Sequence, residues 1–196
     1  LIQEMGPLPC LHTFLLSENV HVTEWGCRAL VPLLTVPTLR HLEARNINGI
    51  PLQDVNHLTH LDIQTTSEQN NEFGALLLTQ TNLKTLKLSA EYMADFESIG
   101  RFLHQAQLTR LEITTQMDNN LEVVSELNMT TLTHIALERC EICNIHMQTL
   151  AANGPQLTQL QSLSLCGNGT ISNSSIPGLS KLLSYTSLLT HLNIGR

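Results

Sequence analysis

Large rings are almost missing from this sequence: one Trp, two Tyr and four Phe stand among 196 residues. A core organised around aromatic packing is thereby excluded. With 42% of the residues apolar, the interior must be built from many aliphatic side chains, leucine above all. Positive charge is also short, with 10 Lys and Arg against 17 Asp and Glu and a formal net charge of -7. Such a chain is not drawn over distance to phosphate backbones or anionic lipid, which argues against nucleic acid and membrane as partners. No apolar run approaches the roughly 20 residues that span a bilayer. Leu1-Ile2-Gln3-Glu4 lacks the basic start of a signal peptide, so the chain reads as soluble.

Cysteine is present without being organised. Cys10, Cys27, Cys140, Cys143 and Cys166 are odd in number and unevenly spread, unlike a disulfide framework. A reducing compartment is expected, intracellular or host-delivered, with the cytoplasm favoured. The sequons at Asn128, Asn168 and Asn173 argue for secretion only if their side chains face solvent. Gly-rich nucleotide loops, H-E-x-x-H and G-x-S-x-G are all lacking, so no enzymatic activity and no cofactor are expected of this segment.

What the chain has is one phrase, Leu-x-x-Leu-x-Leu, eight times over. In order these are Leu11-Phe14-Leu16, Leu39-Leu42-Ala44, Leu58-Leu61-Ile63, Leu83-Leu86-Leu88, Leu108-Leu111-Ile113, Leu132-Ile135-Leu137, Leu160-Leu163-Leu165 and Leu189-Leu192-Ile194. Only Phe14 and Ala44 fit loosely. First leucines follow one another at 28, 19, 25, 25, 24, 28 and 29 residues. Within each phrase apolar and polar residues alternate, as in Leu61-Asp62-Ile63, which predicts a short half-buried strand. Between phrases the period changes to 3–4. Phe96, Ile99, Phe102 and Leu103 behind Asp95 predict a short helix, as do Ile176, Leu179, Leu182 and Leu183 behind Ser174 and Ser175. Pro177 is tolerable in a first helical turn. Leu121, Val124 and Leu127 make a shorter version, and Asn153-Gly154-Pro155 reads as a helix stop after Leu150. The link from Asn46 to His57 is too short for a comparable helix, and an irregular or 3₁₀ connection is expected there.

On these phrases the chain resembles the leucine-rich-repeat family from Leu11 to its last residue, and all spacings but the 19-residue one lie in the family's usual range of about 20–29. The resemblance implies an α/β solenoid over residues 1–196, with a parallel sheet on its concave face and short helices and loops on the convex one. The family's ninth position usually holds Asn, whose amide satisfies the turn after each strand. Here it is Asn only at Asn19 and Asn168, and otherwise Ile47, Thr66, Glu91, Gln116 and Cys140, which puts a continuous asparagine ladder in doubt. The segment Trp25-Gly26-Cys27-Arg28-Ala29-Leu30 resembles the helix start of the ribonuclease-inhibitor type. Met5-Gly6-Pro7 is similar to Asn153-Gly154-Pro155, and the chain stops on a strand, so a fragment of a longer protein is expected.

Equivalent positions of stacked strands line up into columns. Position three holds Thr13, His41, His60, Thr85, Arg110, His134, Ser162 and His191. Position five holds Leu15, Glu43, Asp62, Lys87, Glu112, Ala136, Ser164 and Asn193, and position seven Arg45, Gln64, Ser89, Thr114, Glu138 and Cys166. Single residues in these columns are ordinary solvated positions of a sheet face. Taken together, His41, Glu43, Arg45, His60, Asp62, Gln64, Lys87, Arg110, Glu112, His134 and Glu138 form the candidate surface for a protein partner, with the N-terminal and central strands most involved. A monomer is expected, and the alternative is the substrate-recognition segment of a larger enzyme such as a ubiquitin ligase or a pathogen effector. His41, Glu43, His60 and Asp62 should form a square across two strands. It is open to three readings: a pH-sensitive partner site, a metal site, or a hydrated cluster bridged by Arg45. Cys140-Glu141-Ile142-Cys143 is the one C-x-x-C and lacks a second ligand pair, so Cys140 reads as an inward structural thiol.

Overall fold

The computed structural model describes residues 8–16, 29–45, 55–65, 77–90, 96–115 and 127–195. Eight strands form one all-parallel sheet in chain order: β1 (Thr13–Leu15), β2 (His41–Ala44), β3 (His60–Thr65), β4 (Thr85–Ala90), β5 (Arg110–Thr115), β6 (His134–Glu138), β7 (Ser162–Ser164) and β8 (His191–Asn193). Each strand begins at position three of its phrase, and the phrases align position for position. Leu42 pairs with Leu61, Leu61 with Leu86, Leu86 with Leu111 and Leu111 with Ile135. The 19-residue step leaves the register intact, with His41 opposite His60 and Glu43 opposite Asp62.

The period-2 pattern does the sorting. Leu61, Ile63, Leu86, Leu88, Leu111 and Ile113 are all buried in one continuous aliphatic core, while the residues between them reach the other face. Ala44, a loose fit by size, is buried like its larger equivalents. Burial fades at the ends of the sheet, where a strand has one neighbour instead of two: Phe14 is half-buried and Leu192 is exposed.

Short helices close the apolar side. Among the described residues they are α1 (Val31–Leu34), α2 (Phe96–Gln105), α3 (Asn144–Ala152) and α4 (Ile176–Leu183). In α2 the predicted Ile99, Phe102 and Leu103 are buried, and in α4 so are Leu179 and Leu182. Pro177 stands in the first turn of α4, where no intrahelical donor is lost. The predicted stop after Leu150 is found as the end of α3 at Ala152, followed by a 3₁₀ turn at Gly154–Gln156. Gly154 is required there because the Tyr185 ring lies where a Cβ would stand. No helix among the described residues is long and apolar enough to cross a membrane.

Asn168 organises two turns at once. Its buried Oδ1 accepts from the backbone N–H of Cys140 at 2.9 Å and of Ile142 at 3.0 Å. Its Nδ2 donates to the carbonyls of Leu137 at 2.7 Å and Leu165 at 2.8 Å. The turn it holds places Arg139 and Glu141 in the left-handed region, at φ 56° and 52°, a conformation unfavourable to both by about 1 kcal/mol or more. The sequon at Asn168 is thus engaged in the interior, whereas Asn173 is exposed. At the ninth position of the preceding repeat, the Cys140 thiol donates to the carbonyls of Ile113 at 3.4 Å and Glu138 at 3.3 Å. A thiol supplies the donor half of the asparagine's role and not the acceptor half. Burial, with the Glu138 charge adding to it, pushes the Cys140 pKa up to about 12. The ninth positions Asn19, Ile47, Thr66, Glu91 and Gln116 lie outside the described residues, as do Met5-Gly6-Pro7, Trp25 to Arg28, Asp95, Leu121, Val124 and residues 46–54 of the short link.

Candidate functional site

Because β2 to β5 are in register, their outward positions form a continuous polar face. A chain of ion pairs runs across it. Arg45, just after β2, grips both oxygens of Asp62, with Nε to Oδ1 at 3.3 Å and Nη2 to Oδ2 at 2.5 Å. Its Nε also stands 3.5 Å from Glu43 Oε1. Lys87 Nζ lies 4.0 Å from Asp62 and 3.2 Å from Glu112. Arg110 closes the series on Glu112, with Nε at 2.6 Å and Nη2 at 2.5 Å from Oε1. Ala136 stands opposite Glu112 on β6, and the chain of charges stops there.

Three carboxylates and three cations cancel within this ladder, but they do not share one depth. The cationic side chains are 37%, 42% and 49% exposed, the carboxylates 23%, 15% and 19%. The acids form a floor and the basic heads an outer layer. For Glu112, burial works to raise the pKa, but hydrogen bonds and charge from Arg110 and Lys87 outweigh it and hold the carboxyl below its usual value. The expected square of His41, Glu43, His60 and Asp62 exists, and Arg45 bridges its two carboxylates.

On the imidazole side of the square, the His41 and His60 rings lie 5.6 Å apart between centroids, tilted by 35°. The pKa of His60 is lowered, first by the cost of burying its charged form and then by repulsion from His41. His134 on β6 lies opposite Arg110, and Glu138 opposite Thr114. Glu138 accepts from Ser164 Oγ at 2.7 Å, and Gln64 lies opposite Ser89. The predicted surface residues are therefore brought together on β2 to β6. On β7 and β8 the equivalent positions hold Ser162 opposite His191 and Ser164 opposite Asn193.

Sequence reading missed the threonines of position two. The hydroxyls of Thr59, Thr109, Thr133 and Thr190 each donate to the equivalent carbonyl of the preceding repeat, those of Arg40, Lys84, Thr109 and Gln161, at 2.9–3.2 Å. In three cases the same oxygen lies 2.8 Å from Nδ1 of the following histidine, His60, His134 or His191. The Thr-His dipeptide, three times at one place in the phrase, was the available signal.

Cys140 and Cys143 do not form a joint site. Cys140 is in the core, whereas the Cys143 backbone N–H donates to His146 Nδ1 at 3.1 Å at the start of α3. Among the described residues, no three or more His, Cys, Asp or Glu side chains are grouped to hold a metal ion. No known family model matches the chain, and no curated protein matches it either.

Proposed function

We propose that this chain is a leucine-rich-repeat solenoid segment that holds a partner protein on the concave face of its parallel sheet, chiefly over β2 to β5. The observation that carries the reading is the ion-pair ladder from Glu43 to Arg110, which lies on the exposed side of strands whose other side is closed by the core. Side chains already held by one another lose little further freedom on binding, so a partner meets a surface organised in advance. With basic heads outermost, the favoured partner surface carries carboxylates that reach Arg45, Lys87 and Arg110. Charges at such depth act mainly on association rate and salt dependence.

The test is a triple reversal, Lys87→Glu with Arg110→Glu and Glu112→Lys. The two ion pairs to residue 112 are rebuilt with opposite polarity, the longer Lys87 contact to Asp62 is given up, and the sign pattern presented by β4 and β5 inverts. Affinity capture with wild type and the triple variant should recover different proteins, and Lys181→Glu on α4 should behave as wild type. Recovery of the same partners by the triple variant defeats the proposal.

A further inference from the structure

We infer that His41 and His60 together form a chelating site for a late first-row transition-metal ion, such as Zn²⁺ or Cu²⁺, on the outer face of β2 and β3. The two rings belong to directly opposed residues of neighbouring strands, with centroids 5.6 Å apart. Two imidazoles on one tetrahedral ion, each bound at about 2.1 Å, have centroids about 5 Å apart. The observed centroid separation lies close to that value.

The outer partners of His60 suit this role. Thr59 Oγ1 donates to the Arg40 carbonyl at 3.2 Å and lies 2.8 Å from His60 Nδ1. With the hydroxyl hydrogen committed to the carbonyl, the oxygen accepts from Nδ1–H, which leaves the lone pair on Nε2. A ligating imidazole is commonly oriented in this way, by a hydrogen bond from its other nitrogen.

Glu43 and Asp62 stand two residues further along the same face, with Arg45 shared between them and Lys87 shared onward with Glu112. Imidazole donors select Zn²⁺, Cu²⁺ or Ni²⁺ over Mg²⁺ and Ca²⁺, which prefer oxygen. Asp62 is engaged by Arg45, so the remaining coordination positions fall to water. The sheet supplies its own controls: His134 and His191 carry the same Thr-His pairing, but Arg110 and Ser162 flank His134, and Ser162 is the strand neighbour of His191.

The experiment is a calorimetric titration of the 196-residue chain with Zn²⁺ alone at neutral pH. One equivalent should bind to wild type and to His134→Ala, and none at the same site to His41→Ala or His60→Ala. Thr59→Val keeps the β-branched shape and should bind about tenfold more weakly. A measurement on wild type alone guards against misfolded variants: Cu²⁺ should broaden the ring resonances of His41 and His60 before those of His134 and His191. Zn²⁺ binding that survives either alanine variant, loss of binding in His134→Ala, no binding to wild type, or broadening centred elsewhere overturns the inference. None of these outcomes bears on partner capture by the triple charge reversal.

Discussion

Replacing Asn168 with Ala removes its four shortest hydrogen bonds in one step. Two buried N–H groups, on Cys140 and Ile142, lose their acceptor, and two buried carbonyls, on Leu137 and Leu165, lose a donor. At roughly 1 kcal/mol net for each bond, with an added penalty for buried groups left unmade, the cost is about 3–5 kcal/mol. It also releases the turn that holds Arg139 and Glu141 at positive φ. Equilibrium unfolding in urea, followed by circular dichroism, measures this directly. Asn173→Ala serves as the control at an exposed sequon and should change stability by less than about 0.5 kcal/mol. Asn168→Asp separates the two halves of the role, because a carboxylate keeps both N–H bonds but faces the two carbonyls with no donor. Once protonated, it regains one donor. Its deficit relative to wild type should therefore shrink as pH falls. A loss below about 1 kcal/mol for Asn168→Ala would refute the view that this amide is the principal tie between the two turns.

Truncation at the centre of the core, Leu111→Ala, should cost about 2–5 kcal/mol by leaving a cavity, whereas Leu192→Ala at the exposed end of the sheet should cost far less in the same urea assay. Lys87→Glu alone sets three carboxylates in a row at positions 62, 87 and 112 and should destabilise by about 1 kcal/mol, an effect that added salt reduces. Stability should also fall on acidification. His57, His60 and His146 all have folded-state pKa values lowered from 6.5, with burial the leading cause. The unfolded chain therefore takes up protons first, and the urea midpoint should drop as pH falls through 6.5 and level off below the folded values. A midpoint that rises between pH 7.5 and 5.5 contradicts this. In thiol labelling at pH 8, exposed Cys10 should react promptly, and Cys140, buried and pushed up to about 12, only when the chain unfolds.

The strands were legible because a period of two leaves no freedom in which face a residue takes. Leu61, Asp62 and Ile63 could only alternate, and the same rule carried the register through the irregular 19-residue step. Helices at α2 and α4 were legible from the change of period. The pairing within the charged columns was not. Whether Arg45 turns to Glu43 or to Asp62 depends on the rotamer of a long side chain with acceptors on two strands, and spacing alone carries no such information. The depth ordering of acids beneath bases was hidden for the same reason. Asn168 was recognised as a repeat position, but its simultaneous hold on the preceding turn follows from the stacking of repeats and not from any local pattern.

The neighbour-by-neighbour order of the sheet has a kinetic consequence. Every strand pairs with the next in the chain, so each addition closes a loop of similar length. Between the shortest step of 19 residues and the longest of 29, the closure entropy differs by only about 0.4 kcal/mol. No single step is then an entropic bottleneck, and the place where folding starts is set by how much each new pairing gains. The longest ladders join β3 to β4, β4 to β5 and β5 to β6, while β1, β7 and β8 contribute three residues each. Folding should nucleate among the middle strands and spread outward in both directions, as in a one-dimensional array. Amide exchange should accordingly be slowest in β4 and β5 and quicken toward both ends, so that the chain opens like a fraying stack and not as a single unit.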